Sequence, residues 1–275
     1  MKILFENLDI ILYPLMVGVL LSLTAAILGV VLVLKRYSMI GDGLSHVTFG
    51  VFAILMALSP HLGELSTYIA IPIVIVIAYI LLRIGESTKI KGDAAIGLIS
   101  SAALAIGYFV GSLSEGFTKD INSMMFGSIV TANKQDFLII LPVSLIVILL
   151  FVIFYNRIFS VTFDEEFAKA TGVKTRFYNM LFACFTAVTV VIGIKIMGAL
   201  LISSLIILPA LSAMQVFTKF KKVMIASSLI SVFCFMIAFI CFATYSSAAI
   251  IVILDLTVFL IFTIIGYIRK KMIKA

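Results

Sequence analysis

The sequence has 275 residues, 63% of them hydrophobic and only 12% charged, about half of the roughly 25% charged share usual in soluble domains. So few charges cannot cover a water-soluble surface, three cysteines are too few and too scattered for a disulfide scaffold, and a chain this apolar is not disordered. What remains is a polytopic membrane protein with a net charge of +7, in which residues 1–275 form a single transmembrane domain and no long extramembrane stretch is left for a soluble one.

A helix needs about 20 apolar residues to cross a bilayer. Apolar runs between charged punctuation predict spans at 10–34, 41–59, 66–83, 94–113, 137–156, 177–194, 196–217, 222–243 and 248–268. The first run is too long for a signal peptide, lacks a small-residue cleavage site and ends at Lys35-Arg36. The seventh is separated from the sixth only by Lys195 and carries Gly198 and Pro209, so a broken or short span is expected there. The fold class is therefore all-α, a membrane bundle of eight or nine helices.

Threading nine spans with the N-terminus outside leaves only Lys2, Lys119, Lys134 and Lys195 outside, and sixteen of the 20 Lys and Arg fall on the inner face. This positive-inside bias sets the C-terminus in the cytoplasm. The +7 charge is then a topology signal and no nucleic-acid footprint. The outer face carries Glu6, Asp9, Glu64, Glu115, Asp120 and Asp136 against those four bases, a mildly acidic balance that suits cations better than anions.

Two acids fall within predicted spans, Asp42 and Asp255. A carboxylate near mid-bilayer costs about 2.5–3.5 kcal/mol on insertion scales, so each is a functional candidate. Asp42 and His46 are four apart in Y-S-M-I-G-D-G-L-S-H, which on a helix puts them on one face a turn apart. A carboxylate oxygen and an imidazole nitrogen so placed can share a cation, and this donor mix suits Zn²⁺, Mn²⁺ or Fe²⁺ better than Cu⁺. The competing reading makes Asp42 a first-turn acid satisfying the helix dipole and His46 a packing residue bonded to a neighbouring helix. Asp255 either pairs with a polar helix neighbour or contributes to the path.

The longest charged inner stretch is 163–176. Asp164, Glu165 and Glu166 open it and Lys169, Lys174 and Arg176 close it, the order that suits the dipole of a short helix, with Gly172 placed to end it. Phe163 and Phe167 are available to enter a groove on a partner; the alternative is a solvated loop between helices. No G-x-x-x-x-G-K-S/T occurs, so ATP is not bound here through a P-loop. Cys184, Cys234 and Cys241 read as buried small apolar side chains. His61 and Glu64 lie in an outer loop, as do Met124 and Met125, and Gly107 and Gly111 form a G-x-x-x-G suited to helix packing or dimerisation.

Four segments, in order, resemble the metal-transporting ABC permeases of the manganese, zinc and iron uptake type: K-R-Y-S-M-I-G-D-G-L-S-H, D-I-N-S-M-M-F-G-S from Asp120, F-D-E-E-F-A-K-A-T-G from Phe163, and G-A-L-L-I-S-S-L-I-I-L-P-A-L-S-A from Gly198. The resemblance implies a fold related to the vitamin B12 permease and a place in a bacterial plasma membrane. It implies a homodimer of permeases, an ATP-binding cassette ATPase on each copy and an extracellular binding protein that delivers the metal. It places metal-contacting or gating roles on Asp42 and His46. It makes 163–176 the coupling helix for the ATPase, with Glu165, Glu166, Ala168 and Gly172 at the matching positions. Tyr245 to Ala249 lacks the family's usual Pro-x-Gly turn. The rival readings are a permease for a metal chelate such as a siderophore or cobalamin, which would need a wide path without such ligands, and a secondary transporter without an ATPase, which would predict an internal repeat.

Overall fold

Eleven helices follow one another along the described residues of the computed structural model, which are 8–37, 39–58, 65–87, 92–113, 127, 132–241 and 247–274. They are α1 (Leu8–Leu34), α2 (Ile40–Leu58), α3 (Leu65–Ser87), α4 (Gly92–Gly111), α5 (Lys134–Ile153), α6 (Tyr155–Phe163), α7 (Glu165–Ala170), α8 (Thr175–Met197), α9 (Ala199–Val216), α10 (Phe220–Cys241) and α11 (Ser247–Lys274). No strand occurs among these residues. Each predicted span coincides with one helix, within a few residues at each end. The nine-residue α6 is additional, because a short amphipathic helix carrying Asn156 and Arg157 gives no long apolar run.

Among the described residues eight helices are long and apolar enough to cross a membrane. Of the nine that coincide with predicted spans the exception is α3, whose described apolar stretch is Leu65–Leu81. Contacts along α2 and α4 advance in the same direction: a Cβ on Gly43 would meet Ile96, and one on Gly50 would meet Ala103. The two helices are thus parallel, and the 23 residues of α3, about 35 Å of helix, carry the chain back between them.

The bundle is built round α1, whose inward residues Val17, Leu21, Ala25, Val30 and Val31 are buried. Hydroxyls from two neighbours bond to its backbone: Ser144 of α5 donates to the Leu20 carbonyl at 3.1 Å and Ser231 of α10 to the Ser22 carbonyl at 3.0 Å. Such bonds replace the hydrophobic force that lipid does not supply between helices.

The expected weak seventh span is an unbroken helix, α9, which runs through Pro209. The break lies one residue before it. Gly198, at φ 86° and ψ 160°, ends α8 and starts α9 with no loop between them, a left-handed conformation that glycine adopts without a Cβ penalty. Gly127, from the second of the motif segments, is also left-handed, at φ 59°, and a Cβ there would fall 2.2 Å from the Met197 carbonyl carbon. Two motifs far apart in sequence therefore meet at the α8–α9 corner. His61, Glu64, Met124, Met125, residues 120–126 and Tyr245-Ser246 lie outside the described residues.

Candidate functional site

The approach to the site is a shaped turn. Tyr37 N–H donates to the Leu32 carbonyl at 2.9 Å and Arg36 N–H to the Val33 carbonyl at 3.1 Å, closing α1 in a Schellman arrangement with Arg36 at φ 62° where glycine is usual. Ile40 N–H bonds back to the Tyr37 carbonyl at 3.0 Å and Gly43 N–H to the Met39 carbonyl at 2.8 Å. These bonds start α2 five residues after Lys35 and place Asp42 in its first turn.

His46 Nε2 lies 3.5 Å from Asp42 Oδ2. That is too long for a strong direct hydrogen bond. The side chains are 34% and 50% exposed respectively, so both keep free lone pairs on a shared face. Each satisfies some of the other's polarity without being buried, which leaves both available to a cation. The dipole reading of Asp42 also holds, since a first-turn acid is favourable there, and the two roles do not conflict.

Asp42 and His46 line a cavity of about 930 Å³ between four helices. Phe49 continues the α2 wall, Tyr108 stands on α4 and Ser112 just past its end, Ser203 and Ser204 on α9, and Val252 on α11. The hydroxyls line a wall that is otherwise apolar, and sequence reasoning did not single them out because serines scattered over separate helices carry no local signature. The α2–α4 wall is close-packed. A Cβ on Gly107 would lie 2.4 Å from Gly50 Cα, so Gly107 of the G-x-x-x-G serves packing within this chain. Among the described residues no group of three His, Cys, Asp or Glu gathers to hold a metal, and one copy offers Asp42 and His46 alone.

Asp255 is elsewhere. It is 0% exposed and does not line this cavity. The Cys234 thiol of α10 faces it, a weak donor that does not reach hydrogen-bonding geometry, and neither carboxylate oxygen has a hydrogen-bond partner among the described residues. Of the two alternatives read from the sequence, a hydrogen-bonded polar helix neighbour is not found among the described residues.

The charged segment 163–176 holds α7. Asp164 Oδ1 accepts from Phe167 N–H at 2.9 Å and caps its start. Gly172, at φ 83°, closes it as expected, with Gly172 N–H to the Lys169 carbonyl at 3.0 Å and Val173 N–H to the Ala168 carbonyl at 2.9 Å. The four residues singled out here face different ways. Glu166 is 89% exposed, Phe163 and Phe167 are exposed beside it, and Ala168 is buried against the bundle. Glu165 turns inward to Lys35, Asn179 and Lys169. Burial pushes the Glu165 carboxyl up, but the Asn179 hydrogen bond and the charges of Lys35 and Lys169 outweigh it and hold the group below its ordinary 4.5. Lys169 is held above its ordinary 10.5, chiefly by its bond to Glu166. Lys35 and Asn179 were missed in the sequence, where Lys35 read only as a topology charge and Asn179 as a residue early in a span.

Comparison with known proteins gives the family. The chain is 32% identical over 217 residues to the high-affinity zinc uptake system membrane protein ZnuB of Buchnera aphidicola, covering 78% of this chain and 81% of that one. It is 30% identical over 216 residues to the manganese import system permease protein ScaB of Streptococcus gordonii, covering 78% and 75%. Among solved structures it resembles PsaBC from Streptococcus pneumoniae in complex with Fab, with a TM-score of 0.79 at 26% identity over 95% of this chain and 94% of that one. A metal-chelate type ABC transporter in an inward-facing conformation shares the fold alone, with a TM-score of 0.69 at 18% identity over 91% and 84%. The match to the ABC 3 transport family runs over residues 7–266, and the chain belongs to that family.

Proposed function

We propose that this chain is the membrane-spanning permease subunit of an ATP-driven importer for a divalent transition metal, Zn²⁺, Mn²⁺ or Fe²⁺. The observation that carries the reading is the Asp42–His46 pair, half-exposed on one face of α2 in the wall of the cavity. Zinc and manganese are the metals in the names of its relatives. Those names also count against a siderophore or cobalamin cargo.

One copy supplies two metal-binding side chains. Two copies facing each other across this cavity would supply two carboxylates and two imidazoles, a ligand number that suits a divalent transition metal. We therefore read the working unit as a homodimer in the lipid bilayer. The metal is the cargo; it is received at the outer face from an extracellular solute-binding protein and released to the cytoplasm. The basic inner face sets the C-terminus in the cytoplasm.

The ATPase is a separate subunit, since this chain has no P-loop. The coupling segment is 163–176. Exposed Glu166, Phe163 and Phe167 meet the ATPase, Ala168 seats α7 on the bundle, and Gly172 ends the helix so that the chain can turn into α8.

The test is uptake of Mn²⁺, Zn²⁺ and Fe²⁺ by vesicles holding the permease with its ATPase and binding protein. Wild type is compared with Asp42→Ala and His46→Ala, with ATP hydrolysis recorded in parallel. Both variants should lose uptake by more than about tenfold, the lower end for disturbing a metal's surroundings, while the complex still assembles. Uptake that persists in both variants would remove the pair from the path.

A further inference from the structure

The polar side chains that hold α7 to the bundle converge on a single residue at the end of α1. Glu165 Oε2 lies 3.6 Å from Lys35 Nζ, and Asn179 Nδ2 donates to both Glu165 oxygens at 3.2 Å. Lys35 Nζ donates in turn to Asn179 Oδ1. The Lys35 side chain is only 10% exposed, and its ammonium sits 5.8 Å from the centre of the Phe182 ring. Three elements therefore meet at one enclosed cation: the end of α1, the first turn of α7 and the second turn of α8.

Backbone hydrogen bonds hold the described residues between Lys35 and α2. The Arg36 and Tyr37 N–H groups are bonded back into α1, Arg36 is held in the left-handed region, and Ile40 N–H is bonded to Tyr37. Asp42 stands two residues beyond Ile40. A pull on Glu165 thus reaches the first turn of α2 through one ion pair and the backbone hydrogen bonds on either side of this turn and across it. On the other side of Glu165, exposed Glu166 and Phe167 belong to the same short helix.

We propose that Lys35, Glu165 and Asn179 form the joint through which α7 moves the Asp42 end of α2, so that metal passage is tied to the ATPase cycle. They are positioning residues: none lines the cavity. The inference rests on the permease reading above.

The test uses the full complex of permease, ATPase and binding protein in vesicles, and reads metal uptake per ATP hydrolysed. Lys35→Met and Glu165→Gln should each lower that ratio by about 3- to 30-fold, with the ATPase still bound and the complex still folded at the assay temperature. The double exchange Lys35→Glu with Glu165→Lys should regain part of the loss. A wild-type ratio in both single variants overturns the joint, and so does release of the ATPase by Glu165→Gln, which would make Glu165 a docking residue. Spin labels at Met39 and at Ala170, the exposed last residue of α7, in otherwise unaltered protein give a check that needs no broken joint. Their separation should stay constant between the nucleotide-free and ATP-trapped states while each moves relative to a label on α10, and a changed separation overturns the proposal. Absence of ATP-dependent uptake in wild type is a distinct result, which sinks the permease reading itself and the joint with it.

Discussion

Lys195 Nζ lies 3.1 Å from Asp136 Oδ1, joining the last turn of α8 to the first turn of α5. Asp136 is buried and its two oxygens have separate tasks. Oδ2 accepts from Asn133 N–H at 3.1 Å while Asn133 Oδ1 accepts from Asp136 N–H at 3.0 Å, a reciprocal cap, and Oδ1 faces the ammonium. The pair stands three residues from Gly198, at the corner against which Gly127 packs. Lys195→Met leaves a buried carboxylate oxygen without its cation and should cost about 1–3 kcal/mol, toward the lower figure because Lys195 is partly exposed. Asp136→Asn keeps an acceptor for the cap and should cost less. Thermal unfolding of the detergent-solubilised variants checks the order, and equal losses would show that the charge contributes nothing beyond the cap.

The contact between Gly50 and Gly107 gives a sharper steric test. Any side chain at Gly107 meets the Gly50 backbone, and packed helices answer such intrusion with a shift costing about 1–3 kcal/mol. Gly107→Ala should therefore destabilise the chain and displace α2, the helix that carries Asp42 and His46. Gly97 on the same α4 has nothing within 4 Å of a built Cβ, and Gly97→Ala should be neutral or stabilising by up to about 1 kcal/mol through helix propensity. The two unfolding midpoints, measured side by side, decide whether the seam or the glycine content of α4 matters.

Much of this was legible in the sequence because a bilayer-length apolar run is a long signal. All nine predicted spans became helices, and the Asp42–His46 spacing needed only helical periodicity to bring the two side chains together. Gly172 likewise ended α7 where the charge pattern placed it. The rest depended on contacts between distant segments. Pro209 looked like a break, yet the helix continues through it and Gly198, which sits at a corner held by Gly127, makes the turn. Glu165 was singled out as an opening acid of the coupling segment, and only the arrival of Lys35 and Asn179 from other helices turns it inward. Asp255 carried a clear intramembrane signal, but that its oxygens have no hydrogen-bond partner among the described residues depends on how α10 and α11 pack.

Asp255 accordingly predicts an unusual outcome for a membrane-buried acid. It is enclosed, unpartnered among the described residues and outside the Asp42–His46 cavity. Replacing a buried unsatisfied polar group by an apolar one of similar size removes a desolvation penalty of about 1–3 kcal/mol. Asp255→Leu should raise the unfolding midpoint and leave metal uptake near wild type, and Asp255→Asn should be close to neutral in both. Loss of uptake with a raised midpoint would assign Asp255 a part in the transport cycle that its position does not indicate.

The attachment of α7 should depend on pH in a direction fixed by Glu165. Its carboxyl is held below the ordinary 4.5 by Asn179, Lys35 and Lys169 against the opposing effect of burial. A group whose pKa is lower in the folded state binds fewer protons there than in the unfolded chain, so its stabilisation is fully present above the unfolded value. It is lost as pH falls through the folded one. Lys169 acts on the other flank: its raised pKa stabilises below 10.5 and fades only as the solution becomes strongly alkaline. The difference in unfolding midpoint between wild type and Glu165→Gln should therefore be constant around neutral pH and should narrow below 4.5. Lys35→Met should behave in the same way, because it removes the cation that the carboxylate needs. A difference that persists unchanged into acid would mean that the shape of Glu165, and not its charge, holds the helix in place.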